Sequence, residues 1–160
     1  MMSRMPGVVG CLLLLATSAR AGTAGGPTLY EKIGGEAKLR ATVHEFVLIM
    51  ESDDRINFTF ANTDLKKFEQ LLFEQICNLT DGGCKYTGRD MYTSHAKLNI
   101  TNAQFNALAE DLYEAFDRVH VPYRLQNRVV ALLAPMQRDI VKDHLVPQDV
   151  AAPGTGPPPK

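Results

Sequence analysis

The sequence predicts an all-α domain, and three observations predict it. Four segments carry apolar residues at three- and four-residue intervals, the period of a helix with one buried face. No stretch between them shows the strict alternation of a half-buried strand. Helix-start and helix-stop residues fall at the ends of these segments, with Pro135 inside the last one the exception. Hydrophobic residues make up 45% of the chain, enough for a packed core without covalent staples.

The first element is LYEKI, residues 29–33, with Thr28 placed to cap it and Gly34-Gly35 to stop it. From Glu36 to Glu51, Leu39, Val43, Phe46, Val47 and Met50 fall on one helical face. Asp53 to Phe58 reads as a tight turn or short helix. Thr63 or Asp64 starts the next helix, whose apolar set is Leu65, Phe68, Leu72 and Ile76, widened by Leu71 and Phe73. Asp81-Gly82-Gly83 ends it. Residues 82–90 form a loop, and Met91 to Leu98 form one or two helical turns. Thr101 and Gln104 make a T-x-x-Q capping box. The stripe Phe105, Leu108, Ala109, Leu112, Tyr113 and Phe116 follows, broken at Val121-Pro122. The last helix runs from about Arg124 to Asp143, with Leu125, Val129, Leu132, Leu133, Met136 and Ile140 inward. Pro135 bends it by removing a backbone hydrogen bond. Four substantial helices result, at 36–51, 64–78, 101–118 and 124–143. They fit a plain bundle or a sandwich built around a cofactor. The irregular connection 79–100 is longer than helix packing requires, so it is expected to hold a site.

Two segments flank the domain, which spans residues 27–146. Residues 1–21 have the layout of a signal peptide: Arg4, an apolar run from Gly7 to Thr17, then Ala19-Arg20-Ala21 as a cleavage site. The run is shorter than the ~20 residues of a membrane span. Val8-Val9-Gly10-Cys11 imitates a lipoprotein box, but the apolar core follows Cys11 instead of preceding it. The expectation is export to the periplasm, with no membrane span in the mature form. Residues 147–160 are rich in proline, glycine and alanine and are expected to be a disordered tail. A formal net charge of −1 argues against a nucleic-acid partner, which needs a basic face. Nothing in the pattern reveals the oligomeric state.

Chemistry has few candidates. His44 lies beside the apolar stripe of its helix, His120 in the 118–123 turn, and His144 at a helix C-terminus, where the dipole favours it. All three read as structural. His95 stands apart because it lies between two helices with wide apolar faces. Cys77-x6-Cys84 has the wrong spacing for a zinc knuckle, and no CxxC, G-x-S-x-G, P-loop or dinucleotide fingerprint occurs. Asp53, Asp54, Asp64, Glu69 and Glu74 read as caps or solvated residues, and Glu110 and Asp111 as exposed. Cys77 and Cys84 are open to two readings, a disulfide or two small buried thiols, and export favours the first.

Several motifs in order carry a family resemblance over Leu29 to Val141. LYEKIGG opens the domain, HEFVLIMESDDRINFTF covers the second helix and the following turn, DGGCKYTGRDM forms the loop before His95, and LAPMQRDIV forms the last helix. His95 falls nine residues after Tyr86. With these motifs the chain resembles the group I truncated haemoglobins. The resemblance implies a truncated globin-like two-over-two helical sandwich around haem b. It implies His95 as the iron ligand through one neutral ring nitrogen, the other donating to a backbone carbonyl. Phe60 would pack on the haem face, with Phe58 as the register alternative. Leu108 falls where other groups of the family place a tryptophan, and Met91 would point into the pocket from the turn of His95.

Departures from the family pattern bear on function. Counting back from Phe60 puts Val47 where oxygen-binding members often have tyrosine. The same count puts Phe68, Leu72, Gln75 and Ile76 along the distal wall, with Gln75 the one obvious donor. An apolar wall offers bound oxygen little hydrogen bonding. The expected function is binding of small diatomic gases, oxygen, nitric oxide or carbon monoxide, at a pentacoordinate haem iron held by His95, with labile oxygen. Two other readings stand beside it: a nitric oxide dioxygenase or peroxidase-like redox role, and a haem-free helical interaction module.

Overall fold

The computed structural model describes residues 25–142. The expectations for residues 1–21 and 147–160, and for His144, lie outside the described residues. Seven α-helices occur among the described residues, with no strand. They are α1 (Leu29–Ile33), α2 (Gly35–Ser52), α3 (Leu65–Leu79), α4 (Met91–His95), α5 (Asn102–Arg118), α6 (Tyr123–Leu133) and α7 (Gln137–Ile140). Two 3₁₀ segments, Asn57–Phe60 and Ala134–Met136, join them.

Local chemistry sets the boundaries. Thr28 and Glu31 form a reciprocal capping box on α1, at 3.1 and 2.9 Å. Gly34 ends α1 at a φ of 110°, a conformation that favours glycine, and α2 starts directly behind it. Asp64 caps α3 by accepting from the Lys67 N–H at 3.0 Å. Thr101 and Gln104 form the expected capping box on α5.

Helix α2 is the centre of the core. It buries Leu39, Val43, Phe46, Val47 and Met50, the face its spacing predicts, with Thr42 and Ile49 widening it. It packs against α3 on one side and α5 on the other. Helix α5 packs against α6, and α1 closes one end against α2 and α6. The core thus consists of two helix pairs, α2 with α3 and α5 with α6, layered on each other.

Pro135 does more than bend the last helix. Its missing N–H and its ring end α6 at Leu133, and the chain tightens into the 3₁₀ turn before α7 resumes. Helix α7 stops at Ile140, short of Asp143. The Lys142 N–H then donates to the Ile100 carbonyl at 2.9 Å. Three side chains differ from expectation. Leu132 is 38% exposed, because the α6 stripe centres on buried Gln126 and Val129 instead. Gln126 can occupy that core position because its amide donates to Asp117 at 2.6 Å and to the Val121 carbonyl at 2.8 Å. Asp111, expected on the surface, is buried at 3% exposure, reached by the Arg55 guanidinium at 3.6 Å.

Cys77 and Cys84 form a disulfide, which resolves the two readings. It ties the end of α3 to the loop leading to α4. Gly82 lies inside the closed loop. A Cβ there would sit 2.7 Å from the Tyr30 ring, so the Tyr30 packing requires glycine. Tyr30 in turn donates its N–H to the Thr80 carbonyl at 2.9 Å, holding α1 against the end of α3.

Candidate functional site

A cavity of about 860 Å³ opens between α3, α4, α5 and the α6–α7 corner, with Phe46 of α2 at its back. That size lies within the range of cofactor pockets. Its walls are mostly aliphatic and aromatic, with polar side chains where it meets solvent. Exposed Thr63, Asp64, Lys67, Thr87 and Arg89 mark one stretch of the rim.

His95 is the last residue of α4 and lines this cavity. The helix is only 5 residues long and cannot persist by itself. Asp90 caps it, accepting from the Thr93 N–H at 2.8 Å, and those hydrogen bonds hold the Asp90 carboxyl below its ordinary range. The His95 Nδ1 lies 2.8 Å from the Met91 carbonyl oxygen. A carbonyl only accepts, so Nδ1 carries a hydrogen in this contact. The loop before α4 is also anchored. Glu74 accepts from the Thr87 N–H at 3.0 Å and from its hydroxyl at 2.6 Å, which holds the Glu74 carboxyl below its ordinary range. Tyr86 donates its hydroxyl to the Arg89 carbonyl at 2.9 Å.

The structure brings most of the expected residues to one place. Phe60, Phe68, Leu72, Gln75, Met91, His95 and Leu108 all line the cavity. Phe60 and Phe68 pack with ring centroids 5.4 Å apart, whereas Phe58 is 60% exposed and does not line the cavity. Val47 is a correction. It is buried in the core cluster away from the cavity, and its neighbour Phe46 reaches the wall. Val47 and Phe46 are 100° apart on the helix in an ideal wheel, at roughly 3.6 residues per turn, and the cavity takes the Phe46 side. Ile76 is fully buried and also absent from the lining.

Gln75 lines the cavity but faces an unexpected pair. Its amide nitrogen lies 3.6 Å from the Met91 sulfur and 3.5 Å from the Met136 sulfur. Both sulfurs are thus within reach of the amide hydrogens. The remaining wall formed by Phe46, Phe60, Phe68 and Leu72 is hydrocarbon.

Sequence reasoning missed Phe46, Tyr86, Lys67 and Arg89. The Lys67 ammonium and Arg89 guanidinium make no direct hydrogen bond or salt bridge among the described residues. Two cations without a direct carboxylate contact at the rim of an apolar cavity suit a ligand with an apolar body and an anionic edge. A lysine one residue before Phe68 and an arginine two before Met91 were the available signals.

Comparison with known proteins gives a consistent answer. Residues 28–142 match the family model described as bacterial-like globin. The Group 1 truncated hemoglobin GlbN of a Synechocystis species is 33% identical over 120 residues, covering 71% of this chain and 97% of that protein. The Group 1 truncated hemoglobin of Tetrahymena pyriformis is 27% identical over 114 residues, covering 71% and 94%. The crystal structure of the latter in its Fe(III) form superposes with a TM-score of 0.69, covering 72% of this chain and 98% of that one. The 2/2 hemoglobin of a Synechococcus species, solved in the cyanomet state with covalently attached heme, is 29% identical, with a TM-score of 0.68 and coverage of 72% and 98%.

Proposed function

The chain belongs to the bacterial-like globin family as a group I truncated haemoglobin, and from that premise we propose that His95 holds the haem iron in a five-coordinate state, open to a small diatomic gas. Haem as cofactor, gas binding and the truncated-globin sandwich follow from membership. The ligand residue, the coordination state, the character of the gas and the cellular location are the proposal.

The residues present fit haem b. The cavity volume and apolar walls suit a flat porphyrin. Lys67 and Arg89 suit its two carboxylates, which need cations at the rim. Phe60 and Phe68 supply aromatic faces, and Leu108 and Leu112 an aliphatic floor on α5. The observation that carries the ligand assignment is the 2.8 Å contact of His95 Nδ1 with the Met91 carbonyl. It occupies Nδ1, so Nε2 is the nitrogen left for the iron, and it fixes the ring by a partner that cannot change protonation. When bound, haem would supply the iron to which a small gas binds. The protein's part is to hold His95, exclude water with Phe46, Phe68 and Leu72, and withhold a hydrogen bond from the gas on that side. Oxygen is thereby held less firmly than in a pocket with a donor, whereas carbon monoxide and nitric oxide depend on such a donor less.

Absorption spectra of the protein from Gly22 onward, in ferric, ferrous and ferrous-carbon monoxide forms, test this reading. A Soret band in the wild type and its loss in His95→Ala support it. A colourless folded protein, or haem retained normally in the variant, overturns it.

Export to the periplasm belongs to the same proposal. The Cys77–Cys84 disulfide supports it, since such bonds persist outside the reducing cytoplasm. Fractionation of cells producing the full chain, with mass measurement of the N-terminus, decides it: an intact N-terminus in the cytoplasmic fraction is the contrary outcome.

A further inference from the structure

Helix α6 presents two different faces. Its inner side lines the cavity with Val130 and Leu133, next to Ala134 of the following turn. Its outer side exposes Arg124, Asn127, Arg128, Ala131 and Leu132. Arg124 and Leu133 fall on opposite sides of the helix, since each residue turns it by roughly 100°. Tyr123 opens the outer side, exposed to solvent and packed on Tyr113 with ring centroids 6.0 Å apart.

Charge sets the outer side apart. Between Arg118 and Arg138 every formal charge is an arginine, at 118, 124, 128 and 138, with no carboxylate among them. The whole chain has a formal net charge of −1, so the remainder is acidic. Arg118 is spent on Glu45 and Glu114, at 3.2 and 2.7 Å. Arg124 and Arg128 have no direct carboxylate contact among the described residues. Asp117, just before this segment, accepts from the Gln126 amide at 2.6 Å. Two cations without a carboxylate contact thus stand on a face whose reverse is the cavity wall.

We propose that the outer face of α6 docks an acidic electron-carrier protein that reduces the haem iron. Complementary charge steers such a partner to this face and fixes its orientation. Tyr123 and Leu132 add apolar area to the contact, as an interface between arginines and a partner's carboxylates requires. A carrier seated there is separated from the cavity by little more than the thickness of one helix, roughly 10 Å. One electron passes from the reduced flavin of the carrier to ferric iron. The carrier is oxidised by that electron, the iron becomes ferrous, and no bond or proton is exchanged between them. The rim cations Lys67 and Arg89 make a poorer dock, because the haem carboxylates draw on them.

The electron transfer rests on the haem reading, while the docking stands without it. Flavodoxin, a small acidic flavoprotein, serves as the probe. Stopped-flow absorbance follows reduction of the ferric full chain by reduced flavodoxin, and titration calorimetry follows binding of the oxidised carrier. At low salt, Arg124→Glu/Arg128→Glu should slow the reduction by about tenfold and remove the heat of binding. The difference should shrink in concentrated salt. Lys66→Glu/Lys97→Glu changes net charge equally on other elements and should do neither. Equal slowing by the two pairs, or none by the arginine pair, overturns the α6 dock. Wild-type protein that binds vesicles of anionic phospholipid but not the carrier overturns it as well, in favour of a membrane surface. Should the protein carry no haem, the calorimetry alone decides the docking, and absence of heat with the wild type overturns it.

Discussion

The His95 ring and the Met91 carbonyl, four residues apart and 2.8 Å from one another, form a closed unit within one helical turn. The bond fixes the ring's orientation and its tautomer together. It requires no second side chain, so α4 itself supplies the contact that orients the ring. His95→Ala is expected to abolish stable haem capture, read as loss of the Soret band after gel filtration. Circular dichroism should show the helices retained, because His95 contributes little to the core.

The wall made by Phe46, Phe68 and Leu72 has no donor, and Gln75 is occupied by sulfur. A hydrogen bond to a polar ligand is worth about 1.5–3 kcal/mol, which is roughly tenfold to a hundredfold in rate. Leu72→Gln should therefore slow oxygen dissociation by roughly that factor, measured by stopped-flow displacement with carbon monoxide. A wild-type rate already as slow as the variant's would show that a donor is present after all.

Much of this was legible in the sequence, for physical reasons that differ by element. The helices of the core could be read because each buries one face, and that face imposes its period on the residues. The caps could be read because Thr28, Asp64 and Thr101 satisfy specific orphaned N–H groups. Val47 and Phe46 could not be ordered, since both are buried and spacing does not say whether burial is against protein or cavity. Asp111 could not be placed either. Its burial depends on Arg55, which is 56 residues away and arrives only through the turn after α2. Gln75 was read as a donor to a ligand because its sulfur partners lie 16 and 61 residues away.

Asp111 makes stability depend on pH. Burial, with the nearby Asp53 carboxylate second, pushes its carboxyl up to about 6. In the unfolded chain it titrates near its usual ~3.9. The folded state thus binds the proton more tightly, and stability falls as pH rises from about 4 to about 6, then levels. The full span corresponds to at most about 3 kcal/mol. Urea melts across that window should show the decline, and Asp111→Asn should flatten it. Stability rising with pH between these values would contradict the burial of this carboxyl. Asp53 acts in the opposite sense and at lower pH, because hydrogen bonds from Arg55 lower its carboxyl.

The disulfide closes a short loop, so its entropic contribution is about 2 kcal/mol. Cys84→Ser should lower the urea-derived stability by about that amount. A reducing agent should do the same to the wild type and nothing further to the variant. The loop it holds carries Tyr86 to Arg89, part of the cavity wall, so haem dissociation should also quicken in the variant. Equal stabilities with and without reductant would mean the bond is not formed in solution.

Lys67 and Arg89 lie on different elements, α3 and the α4 approach, yet both meet the same rim. Neither spends its charge on a protein carboxylate through a direct contact. Exposed charge pairs contribute about 0.2–1 kcal/mol each, so Lys67→Ala and Arg89→Ala should each speed haem transfer to an acceptor globin by up to about fivefold. Lys67→Glu should be faster still, because it places repulsion where attraction stood. The differences should shrink in concentrated salt, since rim charges are screened while the apolar walls are not. Transfer rates unchanged by Lys67→Glu at low salt would remove this lysine from the rim contact, leaving Arg89 to be tested by the same reversal of charge.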